Sequence, residues 1–356
     1  MQYDPTTLET AERTQVPTSN DGPHFKVKEN RSSSKPKSNP EPTFEEKVAK
    51  CEFEKDAVLR PEATTGQKVM MLLAVVLPLA GVFLAGFLTW QYGLVSWPYL
   101  AMALIGWALT SLGITVGFHR LMSHKSFETY RWVRAMWMCM GAMSVEGAPL
   151  VWCAVHRRHH SCSDQEGDPH SPHLHEGGYW NMIKGLFYAQ IGWLFAGYWS
   201  EPNMEKYIPD LLKDKMLVRL SEAYGWFVIL SFAIPMGIGY LLDGWYGVGM
   251  GMLWGGFVRV FLTHHNTWSI NSICHVFGSR DYKSNDHSTN NPICGVLAMG
   301  EGWHNNHHAF PSSARHGLKW WQFDMSWIII STMKMCGLAW NIKLPSKRAM
   351  EVKSLS

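Results

Sequence analysis

The 356-residue sequence contains no C-x-x-C pair, and its seven cysteines (51, 139, 153, 162, 274, 294 and 336) are odd in number and scattered. That argues against both a disulfide framework and a cysteine-built zinc site, and reduced thiols on the cytoplasmic side are expected. Charge of one sign is also lacking: the formal net charge is +3, which gives no reason to expect nucleic-acid binding. No apolar core follows a basic start near Met1, so a secretory signal is not expected. Residues 1–60 have almost no aliphatic runs and are dominated by Ser, Pro, Thr, Lys and Glu. Such a stretch cannot bury enough apolar surface to offset its ordering entropy, and a disordered cytoplasmic tail is expected there.

Charge is missing in a patterned way further on. Val69–Trp90 and Trp97–Phe118 are uncharged apolar runs of 22 residues each. As helices each reaches about 33 Å, enough for a hydrocarbon core of roughly 30 Å. Ala223–Leu242 is a third uncharged run, and Trp245–Trp268 is a fourth, interrupted by Arg259. The short links Gln91–Ser96 and Asp243–Gly244 allow only tight turns, so the expectation is an all-α integral membrane fold of four spans in two hairpins. Neither hairpin tip carries Lys or Arg, whereas the segments before Val69, after Phe118 and after Trp268 carry nearly all of them. By the positive-inside rule both termini and the connection 119–222 face the cytoplasm. The spans are therefore placed at about 69–90, 97–118, 223–242 and 245–268 within a membrane domain 61–345. Residues 119–222 and 269–345 form a cytoplasmic helical cap, and 346–356 a C-terminal tail. Trp90, Trp97, Trp245 and Trp268 at the run ends read as interfacial anchors. Trp132–Val155 is apolar but broken by Arg134 and Glu146, and is read as an amphipathic helix at the interface.

Histidine is abundant: 17 residues, nine of them patterned. They are His119 and His124, then His156, His159 and His160, then His275, then His304, His307 and His308. Spacing of i, i+3, i+4 sets three imidazoles on one side of a helix, and Asn271 precedes His275 by one turn in the same way. A single such triplet is readily explained as solvated surface. Two triplets, a spaced pair and a further histidine, all beyond the cytoplasmic ends of the spans, are not. Nine neutral imidazoles are too many for one metal and suit two. Ligand type alone leaves iron, zinc, copper and nickel open. Two nitrogen-held metals with an open position suit dioxygen activation, which supplies oxidising power that no side chain has.

At this point the sequence resembles the membrane fatty-acid desaturases, in particular the stearoyl-CoA (Δ9) type and its bacterial branch. The resemblance runs from about Val69 to Leu338, on GITVGFHRLMSH (113–124), HRRHH (156–160), GDPHSP (167–172), NTWSINSICH (266–275) and GEGWHNNHH (300–308). It implies two Fe ions held by the nine histidines, with Asn271 reaching one through water. It also implies orienting groups at Asp164, Asp168, His170 and Glu301. Trp152 and Thr267 match the pair that bends an acyl tunnel, and Trp107 matches a bulky residue closing its end. The implied reaction is oxygen-dependent insertion of a cis double bond, at Δ9, into a long saturated fatty acyl chain. The substrate expected is acyl-CoA, with another acyl carrier or a lipid as the alternative. Further implied partners are O2, membrane lipid and a separate electron donor (ferredoxin, b-type cytochrome or flavin reductase), since no HPGG-like haem motif is found. A bacterial inner membrane is the implied location. Ala154 and Val155 stand where animal acyl-CoA enzymes have charged headgroup contacts, and Glu146 and Gly147 replace expected amides.

Two rivals remain on sequence grounds. A di-iron fatty acyl hydroxylase would share the architecture. A histidine-rich metal transporter would need ionisable residues within the spans, and the first three runs have none.

Overall fold

The computed structural model describes residues 63–93, 96–174, 177–197 and 204–355; the expected tail 1–60 lies outside them. Among the described residues three helical stretches are long and apolar enough to cross a membrane: Thr65–Tyr92, Trp97–Ser123 and Tyr224–His275.

The first is helix α1 (Thr65–Tyr92), which starts on a capping box. Gln67 N donates to Thr64 Oγ1 (3.3 Å) and Thr64 N donates to Gln67 Oε1 (2.8 Å), satisfying donors that a helix start leaves open. The second begins as α2 (Trp97–Leu112) and continues without a break as a π-helical stretch, Gly113–Ser123. It packs on α3 (Arg131–Ala142) at backbone contact, because a Cβ at Gly113 would run into Gly141.

The third stretch changes direction. Helix α7 (Tyr224–Gly251) has non-helical backbone at Asp243 (φ −138°, ψ 25°) and Gly244 (φ 61°, ψ −140°). Gly239 lies against the Gly247 carbonyl and Gly251 against that of Pro235. In a straight helix residues 235 and 251 would be about 24 Å apart, so the chain folds back at Asp243–Gly244. Asp243 accepts the Tyr99 hydroxyl at 2.5 Å. The returning limb runs through a second π stretch, Met252–Val258, into α8 (Arg259–Ser272).

The cap is built from α3, α4 (Pro149–Ser161), α5 (Tyr179–Gln190), α6 (Lys215–Glu222), α9 (Pro292–Leu297), α10 (His304–Ala309), α11 (Met325–Met335) and α12 (Lys347–Lys353). A two-residue antiparallel pair, β1 (Glu128–Thr129) with β2 (Ala339–Trp340), ties its ends. The apolar core under the π stretch joins Phe118, Leu121, Met122, Phe127, Val133, Trp137 and Ile330.

One expectation needs correction. The amphipathic segment Trp132–Val155 is two helices, α3 and α4, because Val145 (φ 67°) and Gly147 (φ 112°) turn the chain and Pro149 opens a new helix. Arg259 is 2% exposed. It donates to the carbonyls of Met143 (2.7 Å), Ser231 (3.1 Å) and Gly255 (3.1 Å), placing a cation on the carbonyl end of α3. The C-terminal segment 346–356 holds α12, joined to the cap where Lys283 N donates to Lys353 O (2.7 Å) and Leu355 N to Asp281 O (3.0 Å).

Candidate metal centre

The nine singled-out histidines come together as two sets. His119, His124, His156, His160 and His307 form one, and His159, His275, His304 and His308 the other. Backbone periodicity explains the assignment. Along α4 and along α10 a step of four residues turns about 40° past a full circle, and a step of three falls about 60° short. So the i, i+4 pair stays together and the i+3 residue parts from it: His156 and His160 join the first set, His159 the second. On α10 His304 and His308 join the second set, His307 the first. His119 and His124 are five residues apart, which an α-helix would leave about 140° out of line. The π stretch closes an i→i+5 bond, His124 N to His119 O at 3.1 Å, and brings the two rings to 4.9 Å.

The ring nitrogens converge. In the first set Nε2 atoms of His119 and His307 lie 3.1 Å apart, His124 and His156 2.8 Å, and His307 and His160 2.9 Å. In the second, His304 and His275 are 3.0 Å apart and His159 and His308 3.4 Å. Two nitrogens each about 2.1 Å from a metal are roughly 3.0 Å apart at a right angle and 3.4 Å at a tetrahedral one. The donor sets thus have the dimensions of metal sites. The two sets adjoin, with the His160 and His308 rings stacked at 4.5 Å. Burial first, then crowding by other imidazoles, holds His156, His160, His304 and His307 well below the usual histidine range. They are neutral, which is the ligating form.

Carboxylates orient several rings through Nδ1. His119 pairs with Glu301 (2.6 Å), His159 with Asp168 (2.9 Å) and His275 with Asp164 (2.8 Å). Beside an ionised carboxylate Nδ1 carries the proton and donates, leaving the Nε2 lone pair facing the centre. Of the four expected orienting residues, only His170 holds no ligand-type nitrogen; its ring lies 4.5 Å from that of His159. Burial raises Asp168, but the neighbouring His159 and His170 more than offset this and hold it below the usual range.

Sequence reasoning missed three participants. Asp286 accepts from His308 Nδ1 at 2.6 Å, yet it lies in a polar stretch (SNDHSTNN) that reads as surface loop and has no spacing relation to the third cluster. Arg120, fully buried, holds Glu301 (3.1 Å) and Asp324 (2.9 Å). His316 sits 3.3 Å from Glu301, its ring 4.5 Å from that of His307. Arg120 stands inside the first histidine motif and was legible as a charge at the end of an uncharged run. For His316 there was no signal.

A cavity reaches both sets. Its walls include His119 and His156 from one and His159 and His304 from the other, with Ser111, Ile114, Thr115, Trp152, Asn266, Thr267, Ile270, Asn271, Ala298 and Glu301. Trp152, Thr267 and Asn271 stand on this lining. Trp152 stacks on His156 (5.1 Å) and donates Nε1 to Glu146 at 3.2 Å. Trp107 is outside the lining; it lies one helical turn before Ser111, and its buried Nε1 has no partner among the described residues. Ala154 and Val155 are 1% and 6% exposed, packed in the core and unable to meet a headgroup. His264 Nε2 binds Val145 O at 3.0 Å and His265 Nδ1 meets Gln190 at 3.2 Å, both uses in packing.

The family model described as fatty acid desaturase matches residues 94–330. A hex-5-enoyl-(acyl-carrier protein) acetylenase from Moorena producens is 38% identical over 288 residues, covering 80% of this chain and 89% of the relative. An sn-1 stearoyl-lipid 9-desaturase from Anabaena variabilis is 38% identical over 254 residues, 71% of this chain and 87% of the relative. A delta-9 acyl-lipid desaturase 1 from Arabidopsis thaliana is 39% identical over 254 residues, 71% and 77%.

Proposed function

This chain belongs to the fatty acid desaturase family, and we propose that it places a cis double bond at Δ9 of a long saturated acyl chain with two irons held by the nine histidines. The observation that carries the reading is the meeting of two nitrogen-only donor sets, of five and four imidazoles, at one apolar-walled cavity. Bound iron would supply the oxidising power, drawn from O2 and two external electrons, to remove hydrogen from an unactivated carbon. The chain's own part is positioning. His119, His124, His156, His160 and His307 offer nitrogens to one metal; His159, His275, His304 and His308 offer them to the other, with Asn271 acting through a water. Glu301, Asp168 and Asp164 fix the tautomers of His119, His159 and His275. Trp152 and Thr267 turn the acyl chain past the cavity, and Trp107 closes its end, so that one carbon pair is held near both sets.

The headgroup we infer is a lipid or a carrier protein in place of CoA. The three relatives above are named for lipid-linked or carrier-linked chains, although other relatives are named for acyl-CoA, and no charge stands at buried Ala154 and Val155. The four-span, two-hairpin arrangement, with cap and electron supply on the cytoplasmic side, is supported by the reversal at Asp243–Gly244 and by the absence of Lys and Arg from both tips.

Two measurements test the reading. Expression in cells lacking their own desaturase should yield Δ9-unsaturated acyl chains on fatty-acid profiling; an unchanged profile, or a hydroxylated product, would overturn it. Protein purified from iron-replete medium should carry two irons per chain. His307→Ala should lower that occupancy and abolish turnover, and full activity in the variant would sink the ligand assignment.

A further inference from the structure

The two histidine sets differ in what lies behind them. In the set of four, three imidazoles donate Nδ1–H to a carboxylate: His159 to Asp168 (2.9 Å), His275 to Asp164 (2.8 Å) and His308 to Asp286 (2.6 Å). In the set of five only His119 does among the described residues, to Glu301 (2.6 Å). The counter-charges differ as well. Glu301 is shared with the Arg120 guanidinium (3.1 Å) and with His316 (3.3 Å). Among the described residues no Lys or Arg pairs with Asp164, Asp168 or Asp286; their further partners are hydroxyls, backbone N–H groups and His170.

A carboxylate on Nδ1 fixes the tautomer and raises the donor strength of Nε2, and losing such a partner typically costs about 10–100-fold in metal affinity. Three uncompensated carboxylates against one compensated carboxylate favour positive charge in the set of four. The extra imidazole of the other set does not reverse this. His124 and His160 are half-buried, with no carboxylate on Nδ1 among the described residues, so no carboxylate fixes either tautomer.

We propose that the two sets are unequal metal sites by construction, the four-histidine set holding its metal more tightly, and that Asp286 is a positioning residue responsible for part of the difference. The inference rests on the di-iron reading above and adds a residue and an order of affinity to it.

Asp286 divides its two oxygens cleanly. Oδ1 accepts from Ser284 Oγ (2.8 Å), Ser288 N (3.1 Å) and Ser288 Oγ (2.5 Å), while Oδ2 faces His308. In Asp286→Asn the amide oxygen can keep the loop bonds, but the NH2 group then faces Nδ1 of His308. The imidazole must accept there and carry its proton on Nε2, which removes it as a ligand. Asp286→Glu retains the carboxylate.

The test uses the full-length protein loaded with 57Fe, its iron content measured first and then followed during incubation with a chelator, with Mössbauer spectra in parallel. Two irons should leave in two phases at least tenfold apart, the retained iron giving a single quadrupole doublet. Asp286→Asn should speed the slow phase about 10–100-fold and shift that doublet, with the fast phase unchanged; Asp286→Glu should restore most of the separation. One common rate for both irons in the parent overturns the proposal, needing no variant. So does a slow phase indifferent to Asp286→Asn. A chain that takes up no iron overturns the reading of function itself, a result distinct from two irons leaving together.

Discussion

Among the described residues no cation pairs with the Glu146 carboxyl. Burial pushes it up to about 8, with the Thr267 hydroxyl and the Trp152 indole opposing this only in part. The folded chain therefore keeps a proton that the unfolded chain releases near pH 4.5, and stability should fall as pH rises between about 4.5 and 8, with a slope approaching 1.4 kcal/mol per pH unit. Glu146→Gln should remove that slope while its amide oxygen still accepts from Trp152, as thermal unfolding in detergent at about pH 5 and pH 8 would register; an unaltered slope would show that Glu146 is ionised. A second residue-scale outcome concerns Trp107. Removing an indole typically costs about 3–5 kcal/mol, so Trp107→Ala must first be shown to be folded. It should then admit longer acyl chains with the double bond at the same distance from the carboxyl end. The parent's chain-length profile in a folded variant would mean that Trp107 packs on a neighbour and closes nothing. Glu146 stood out in the sequence as a charge in an apolar segment and as a departure from the family amide. Its partner could not be read there, because the Trp152 indole reaches it only through the corner at 143–148.

Among the elements, the apolar runs were legible because a membrane allows few alternatives to an uncharged helix. The breaks inside them were less so. Triplets at i, i+3, i+4 read as one-sided clusters, yet each divides between two sets, since 40° and 60° of opposite rotation separate them once both sets lie close to the helix. The π stretch Gly113–Ser123 was invisible in the sequence; only the five-residue gap from His119 to His124, wrong for an α-helix, hinted at it. Close helix packing gives a direct test. Gly113→Ala would push a methyl group into the Gly141 backbone, and overpacking of this kind typically costs about 1–3 kcal/mol. The expected result is a lowered unfolding temperature and partial loss of iron, because His119 and His124 ride on the same stretch; wild-type stability would mean that α3 yields. Membrane sidedness is tested at the turns. A cysteine at Gly93 should label from outside intact cells and one at Ser171 should not, and the reverse pattern would invert the proposed orientation.

For the whole molecule, long-range partners were what the sequence hid. Asp286 meets His308 across a loop, and Arg120 meets Glu301 and Asp324 about two hundred positions away. Nothing in local pattern announces such pairings. They matter because histidines from the α2 continuation, α4, α8 with its continuation, and α10 all enter one buried volume. Metal that binds only the folded chain stabilises it, so chelation should lower the unfolding temperature and re-addition of ferrous iron should restore it. An unfolding temperature indifferent to iron would mean that the cap is held by its core alone. The sharing of α4 and α10 between both sets has a geometric corollary. Each of these helices acts as a ruler: the offset between one centre and the next is written in helical pitch, with no bridging side chain from the described residues needed to span them. One residue inserted between His304 and His307 would rotate the later pair by about 100°. The graduations on that ruler would shift, and neither centre could be repaired by moving the other.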